Sequence, residues 1–271
     1  MTKEKEYVAI IAGEGKMPEL VIRNVHKAGK KVLLIALKGI TPEALEKRAD
    51  DVAKIYVTQV GKAVTAASKY CCKEVIMAGR VPHDIIYNMQ LWRMDLTMLR
   101  LWWGLKDRKA DTILGAIAAV FKKKGITLVE TKKYIGEYIA KKGVLTETQP
   151  PENIMEDIRF GVGIAKELGR ADVGQTVVVK DKAVVAVEAM EGTDRCLERA
   201  GEIGGAGCVV VKMAKPQQDM RFDLPTIGKN TIEKLIKIKA AAIAIEANKT
   251  IVIDDDAITL AQNNDIAVVA L

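Results

Sequence analysis

Along the first half of the chain, apolar residues come in short unbroken runs separated by amphipathic stretches. "YVAIIAG" (7–13), "KVLLIAL" (31–37), "AKIYVT" (53–58), "EVIMAGR" (74–80) and "ITLVE" (126–130) have strand length and strand composition. Between them, 18–28, 61–71, 92–104 and 111–124 repeat apolar residues at three- and four-residue spacing, the period of a helix with one buried face. Strands alternating with helices predict a parallel sheet joined by right-handed crossovers. The rhythm breaks at "KKGVLTETQPPEN" (141–153), whose adjacent prolines read as a linker. Domains of 1–142 and 143–271 follow. The second domain opens with a helix at 153–168. "QTVVVKDKAVVAVEA" (175–189) then reads as a hairpin turning on Lys180-Asp181-Lys182 without a glycine. Further strands are expected at 207–214, 241–248, 250–255 and 266–271, with helices at 193–202, 229–239 and 255–264, giving a mixed sheet. The fold class is α/β, a parallel-sheet domain followed by a second α/β domain.

Length and composition agree with this division. At 271 residues the chain is long for one core, and 49% hydrophobic with 28% charged residues is ordinary for a globular protein. The charge is uneven. Residues 1–150 hold 27 Lys+Arg against 16 Asp+Glu, whereas 151–271 hold 15 against 19. A basic half calls for an anionic partner. Nucleic acid is set aside, because only 4% of residues are aromatic and no stacking motif is visible. Four cysteines without CxxC spacing and two histidines argue against zinc and against a disulfide framework. The N-terminus lacks a signal-peptide pattern and no apolar run approaches the roughly 20 residues of a membrane span, so a cytoplasmic protein is expected.

Two strand ends in the first half are candidate ligand contacts. Ala12, Gly13, Glu14 and Gly15 lie between a strand and a helix that Pro18 can start, where glycines let backbone amides approach an anion. The pattern is GxGxxP rather than the dinucleotide fingerprint. The acid that would bind a ribose is absent from Leu34-Ile35-Ala36-Leu37-Lys38, which weakens a nicotinamide oxidoreductase reading. A phosphate or nucleotide contact and a plain tight turn both remain. Gly79 and Arg80 end another strand and would face the same crevice. Asp111 stands where a helix N-cap belongs and is also carried as a substrate contact. All three tryptophans fall in "LWRMDLTMLRLWW" (91–103). Core, a dimer or lid contact, and a lipid or membrane surface all fit, with Trp92, Met98 or Trp102 as acyl-chain contacts.

The second half concentrates charge in "VKMAKPQQDMRFDLPTIG" (211–228). Pro216 and Pro225 bar regular structure at both ends, so Asp219, Arg221 and Asp223 ride a constrained loop. "EAMEGTD" (188–194) and "DVGQTVVV" (172–179) flank neighbouring strands. Glu188, Glu191, Asp194, Asp219 and Asp223 thus gather with Lys212, Lys215 and Arg221. Carboxylates and cations without His or Cys suit Mg²⁺ or Mn²⁺, with phosphate oxygens completing the shell. A solvated salt-bridge network is the alternative. Glu188 and Asp219 are the candidate metal ligands beside Asp223. Gln175, Glu191, Gly192, Thr193, Lys212, Lys215 and Arg221 are the candidate substrate contacts.

"IAGEGKMPEL", "GVLTETQPPE", "DVGQTVVVKDKAVVAVEAMEGTDRCLERAG" and "KMAKPQQDMRFDLPTIG" together resemble the LpxI-type UDP-2,3-diacylglucosamine pyrophosphatases over nearly the whole chain. The resemblance implies a Rossmann-like N-terminal domain and a C-terminal catalytic domain, assembled as a homodimer with lipid held between domains. It implies metal-dependent hydrolysis of the UDP-linked diacylated amino sugar to UMP and 2,3-diacylglucosamine 1-phosphate in lipid A biosynthesis. It also places the essential aspartate of the RFDLP motif at Asp223. Peripheral contact with the inner membrane is a further expectation. The rival from another class is a non-catalytic nucleotide- or glycolipid-binding protein.

Overall fold

The computed structural model describes residues 6–82, 93–107, 110–216, 221 and 224–271, with the side chains of 110 and 111 outside the description. Two compact units divide the chain, with the main boundary between Gly136 and Glu137.

The first unit is built on a five-stranded sheet. Its strands are β1 (Tyr7–Ala12), β2 (Lys31–Leu37), β3 (Asp51–Ile55), β4 (Glu74–Ala78) and β5 (Thr127–Leu128), in the order β3-β2-β1-β4-β5 with every pairing parallel. Val8, Ala9, Ile10 and Ala12 of β1 are all fully buried, as a central parallel strand covered on both faces requires. Helices α1 (Met17–Lys27), α2 (Glu43–Glu46), α3 (Val60–Lys69), α4 (Leu96–Gly104), α5 (Ala110–Lys122) and α6 (Lys132–Ile135) connect the strands. Ala9, Leu33 and Ile35 share a core with Val60, Ala63, Val64 and Ala67 of α3 and with Phe121 of α5. Strand β3 starts two residues before the predicted run and ends earlier. The Tyr56 carbonyl accepts from the Gln59 amide at 2.9 Å, and the chain turns there instead of extending to 58. Met98 is 1% exposed and Trp102 packs against the same core, so the core reading holds for both and Met98 offers no surface to an acyl chain. Trp92 lies outside the described residues.

The second unit carries a six-stranded mixed sheet. Strands β6 (Gly143–Val144), β7 (Thr176–Lys180), β8 (Ala183–Val187), β9 (Val209–Lys212), β11 (Ala242–Ile245) and β13 (Ala267–Ala270) run in the order β6-β13-β11-β9-β7-β8. Strands β9, β11 and β13 are mutually parallel, while β6, β7 and β8 pair antiparallel with their neighbours. Val210 and Ile243 face α8 (Gly192–Gly204) and α9 (Lys229–Lys237) through Leu197 and Leu235; Val209, Val211 and Ala244 face Ile158 and Ala165 of α7 (Glu152–Arg170). This period-two alternation puts apolar side chains on both faces and explains the unbroken valine runs. Gly161 of α7 lets the helix sit close, since a Cβ there would come within 2.6 Å of Val211 Cγ2.

Two local features depart from the sequence reading, and a third bears it out. Residues 143 and 144, assigned to the linker, form an edge strand on β13, and the nearby Thr146 hydroxyl accepts the Val268 amide at 3.1 Å. Strand β12 (Ile251–Val252) stays out of the main sheet and pairs with β10 (Thr226–Ile227). It is short because Asp254 turns to accept the Lys229 amide at 2.7 Å, capping α9 from outside the helix. The glycine-free hairpin turn is real. Asp181 and Lys182 both take positive φ, 51° and 58°, as a two-residue hairpin of this hand demands. The Asp157 carboxylate of α7 holds them there, accepting their amides at 2.9 and 2.7 Å. A last short helix, α10 (Ala257–Gln262), precedes β13.

Candidate active site

Antiparallel pairing brings three segments to one end of the second sheet. Thr176, the first residue of β7, lies opposite Lys212, the last residue of β9. Strand β8 returns beside β7, so that Glu188 follows its last residue and donates its amide to Thr176 O at 2.9 Å. Gly174 permits this convergence, because a Cβ there would lie 2.0 Å from the Glu188 carbonyl oxygen. The chain then turns through Gly192, at φ 81°, into α8. That turn sets Thr193 in the helix's first turn, facing the strand ends.

The side chains form a connected polar group under near-complete burial. Glu188 is 8% and Lys212 7% exposed. The Thr193 hydroxyl donates to Glu188 Oε1 at 2.9 Å and accepts from Lys212 Nζ at 3.4 Å. Lys212 Nζ also reaches the Thr226 carbonyl at 3.4 Å. Two buried atoms at these strand ends lack a hydrogen-bond partner, Glu188 Oε2 and Thr176 Oγ1; Gln175 Oε1 is a third, on a residue that alternates to the other face with Val177 and Val179. Buried polar atoms are rarely left so, and a cluster of them marks a place prepared for a polar ligand. Cys196, on α8, is no nucleophile here: burial pushes its thiol up to about 11, which keeps it protonated.

The other charged residues of the second half have separate partners. Glu191 accepts from Arg199 at 2.7 Å and from the Ala189 amide at 3.1 Å, bracing the 188–192 turn. Lys215 pairs with Asp172 at 2.9 Å, and Asp194 lies 3.5 Å from Lys234. Arg221 is partly buried. Asp219 and Asp223 lie outside the described residues. Among the described residues no group of three or more His, Cys, Asp or Glu could hold a metal ion. Glu188, with its unpartnered oxygen, is a described carboxylate able to contribute a ligand. The sequence reading did not single out Thr176 or the Thr226 carbonyl. Thr176 is visible only through strand register, and a backbone carbonyl leaves no mark in side-chain identity.

In the first unit, strand order reverses between β1 and β4, the switch point where open α/β sheets bind ligands. The candidates there are tightly joined. Gly13 donates its amide to Ala78 O at 2.8 Å, Glu14 and Arg80 exchange backbone hydrogen bonds, and Arg80 Nη2 lies 2.6 Å from Glu14 Oε1. A Cβ on Gly13 would sit 2.4 Å from Arg80 O, and one on Gly79 would sit 2.6 Å from Glu14 O. The small residues at 13 and 79 are thus required by contact between the two strand ends, and the Gly13 and Glu14 amides serve that contact. Ala12 is buried at the end of β1, and its carbonyl accepts the Thr41 hydroxyl. Gly15 takes φ 94° ahead of α1. Asp111 is the second residue of α5, inside the helix rather than before it.

Comparison with known proteins bears on both halves. A UDP-2,3-diacylglucosamine pyrophosphatase LpxI from Caulobacter vibrioides is 29% identical over 266 residues, covering 95% of this chain and 94% of that protein. Solved structures are matched only remotely. A biotin carboxylase from Campylobacter jejuni is 11% identical with a TM-score of 0.31, over 74% of this chain and 42% of that one. An N5-carboxyaminoimidazole synthetase from Staphylococcus aureus is 14% identical with a TM-score of 0.25, over 78% of this chain and 47% of that one. This chain spans less than half of either, and the likeness supports no argument about function. The family models leave no such gap: the LpxI N-terminal domain matches residues 7–138, the LpxI C-terminal domain matches 141–269 and contains the Glu188–Thr193–Lys212 group, and the chain belongs to the LpxI family.

Proposed function

We propose that this protein hydrolyses the pyrophosphate bond of UDP-2,3-diacylglucosamine, releasing UMP and 2,3-diacylglucosamine 1-phosphate. The observation that carries the reading is the buried Glu188–Thr193–Lys212 group with its unpartnered oxygens, within the segment matched by the family's C-terminal domain. A water oxygen forms a new bond to the phosphorus on the sugar side, the anhydride P–O bond breaks, and UMP leaves with the bridging oxygen. The Lys212 ammonium, shielded from bulk water, neutralises charge on the phosphoryl oxygens, where a low dielectric makes it count most. The start of α8 directs its first amides and its dipole toward the same anion. Thr193 keeps Lys212 and Glu188 in fixed relation.

The unpartnered Glu188 Oε2 fits an oxygen-seeking cation, and Asp219 and Asp223 are the further carboxylates proposed to hold one. A bound Mg²⁺ or Mn²⁺ would polarise the phosphoryl group and lower the pKa of water. Asp223 is proposed as the base that takes the water proton, and Arg221 as a second cation toward the pyrophosphate. Homodimeric assembly belongs to the same proposal. The test is incubation with UDP-2,3-diacylglucosamine and Mg²⁺ in ¹⁸O-labelled water. UMP should appear, with the label in the sugar phosphate. Retention of the nucleotide sugar without UMP would instead make the chain a binding protein.

A further inference from the structure

Helix α4 is apolar on two sides. Its inner side, with Met98, Leu101 and Trp102, closes the first unit's core. Its outer side carries Leu96, Leu99 and Trp103, which are 73, 38 and 82% exposed. Positions i, i+3 and i+7 form one stripe along the helix. A helix apolar all round is normally covered on every side. Isolated exposed apolar residues are commonplace, but here, among the described residues of the first unit, three of the four large exposed hydrophobics share a single helix, Val52 being the other.

The charges around the stripe narrow what covers it. Arg100 is exposed beside Leu96 and Trp103 on the same outer side. Among the described residues of 93–107, Arg100 and Lys106 are exposed cations against one exposed carboxylate, Asp107, while Arg93 lies over the Tyr56 ring at 4.6 Å. Asp95 faces inward to the helix start, accepting the Met98 amide at 2.8 Å and the Lys62 amide at 3.0 Å. The surface offered is therefore apolar with a cationic border, on the half of the chain that holds 27 Lys+Arg against 16 Asp+Glu. A second copy docking here about a two-fold axis would bring each basic border against its own image, which like-charge repulsion opposes. A bilayer with anionic headgroups matches both features. Tryptophan and leucine enter the boundary between headgroups and acyl chains, and arginine and lysine lie at the phosphates.

We propose that α4 is a membrane-docking helix that seats Leu96, Leu99 and Trp103 in the interface of an anionic bilayer. The inference stands on the surface chemistry and is independent of the activity proposed above. No helix among the described residues is long and apolar enough to cross a membrane, so the attachment is peripheral.

Co-sedimentation of the full chain with phosphatidylcholine vesicles, and with vesicles of equal parts phosphatidylcholine and phosphatidylglycerol, tests it. The protein should pellet with the anionic vesicles, should not pellet with the neutral ones, and should be released by high salt. Leu99→Glu with Trp103→Glu should weaken binding by about tenfold or more, and Arg100→Glu should weaken it too, with melting temperatures unchanged because these side chains are exposed. Failure of the wild type to pellet with anionic vesicles, or undiminished binding by the folded variants, would overturn the proposal. So would a change of oligomeric state in Leu99→Glu/Trp103→Glu with vesicle binding intact, which would make the face a contact between copies.

Discussion

Replacing Lys212 by methionine separates catalysis from stability, because the two should move in opposite directions. Lys212 is 7% exposed and reaches Thr193 and Thr226 at 3.4 Å. Taking an ammonium out of water costs hydration, and replacing a buried charged group by an apolar one of similar volume is often neutral or stabilising. Methionine has nearly the same shape and needs no hydration, so substitution should leave the melting temperature unchanged or raise it. Turnover should fall steeply. A unit charge about 4 Å from a phosphoryl oxygen, at an effective dielectric of about 20, contributes roughly 4 kcal/mol. Part of this is already present when substrate binds, and about 3–4 kcal/mol of transition-state stabilisation corresponds to a loss of ~10²–10³ in kcat/KM. UMP release under steady-state conditions and calorimetric melting supply the two readouts. Activity within about tenfold of wild type would remove Lys212 from the chemistry. A drop of several degrees in melting temperature parallel to the activity loss would show that the lysine holds the strand ends together instead.

Asp223→Ala should reduce kcat by at least ~10³ with little change in melting temperature, since a loop carboxylate between prolines contributes little to a core; near-normal turnover would exclude it from the mechanism. Chelation should stop UMP release, and Mg²⁺ or Mn²⁺ should restore it better than Zn²⁺, because the proposed ligands are all oxygens; full activity in chelator with metal content measured as negligible would refute this. Gly174→Ala should destabilise the protein by about 1–3 kcal/mol in urea unfolding, since its Cβ would meet the Glu188 carbonyl at 2.0 Å; an unchanged midpoint would contradict that packing. Asp157→Ala removes two hydrogen bonds from a 5% exposed carboxylate to the hairpin turn and should cost about 2–4 kcal/mol, with Asp157→Asn losing less.

Strands and helices were legible because their signals are local. The valine runs at 177–179 and 209–211 announce buried strands whatever their neighbours. Glu188 and Lys212 were legible as strand-end charges of the second half. Thr193 was legible as a candidate contact, but that its hydroxyl bridges Glu188 and Lys212 was not, since it depends on where Gly192 aims α8. The departures have non-local causes. Strand β12 is cut short by Asp254 reaching back to Lys229, and residues 143–144 join the sheet because β13, the last strand of the chain, has a free edge for them. The Gly13–Gly15 segment looks like an anion cradle in sequence, since a glycine that makes room for phosphate and one that makes room for a neighbouring carbonyl are the same letter. The 2.4 Å approach of a Gly13 Cβ to Arg80 O gives the glycine at 13 a packing reason of its own.

The hairpin turn at Asp181 and Lys182 has a reach beyond its own two residues. Side chains in a strand alternate sides, so sliding β8 along β7 by one position would move Glu188 away from Thr193 and present Ala189 in its place. The turn fixes that position, and the Asp157 carboxylate fixes the turn, with an irregular step in the pairing at Val178/Val179 taking up the odd residue between turn and site. Helix α7 therefore indexes the carboxylate at the far end of the hairpin without touching it. A substitution in the 180–183 turn could leave every residue of the polar group in place in the sequence and still dismantle it in space. Loss of activity from such a change would report a strand out of step, not a missing functional group.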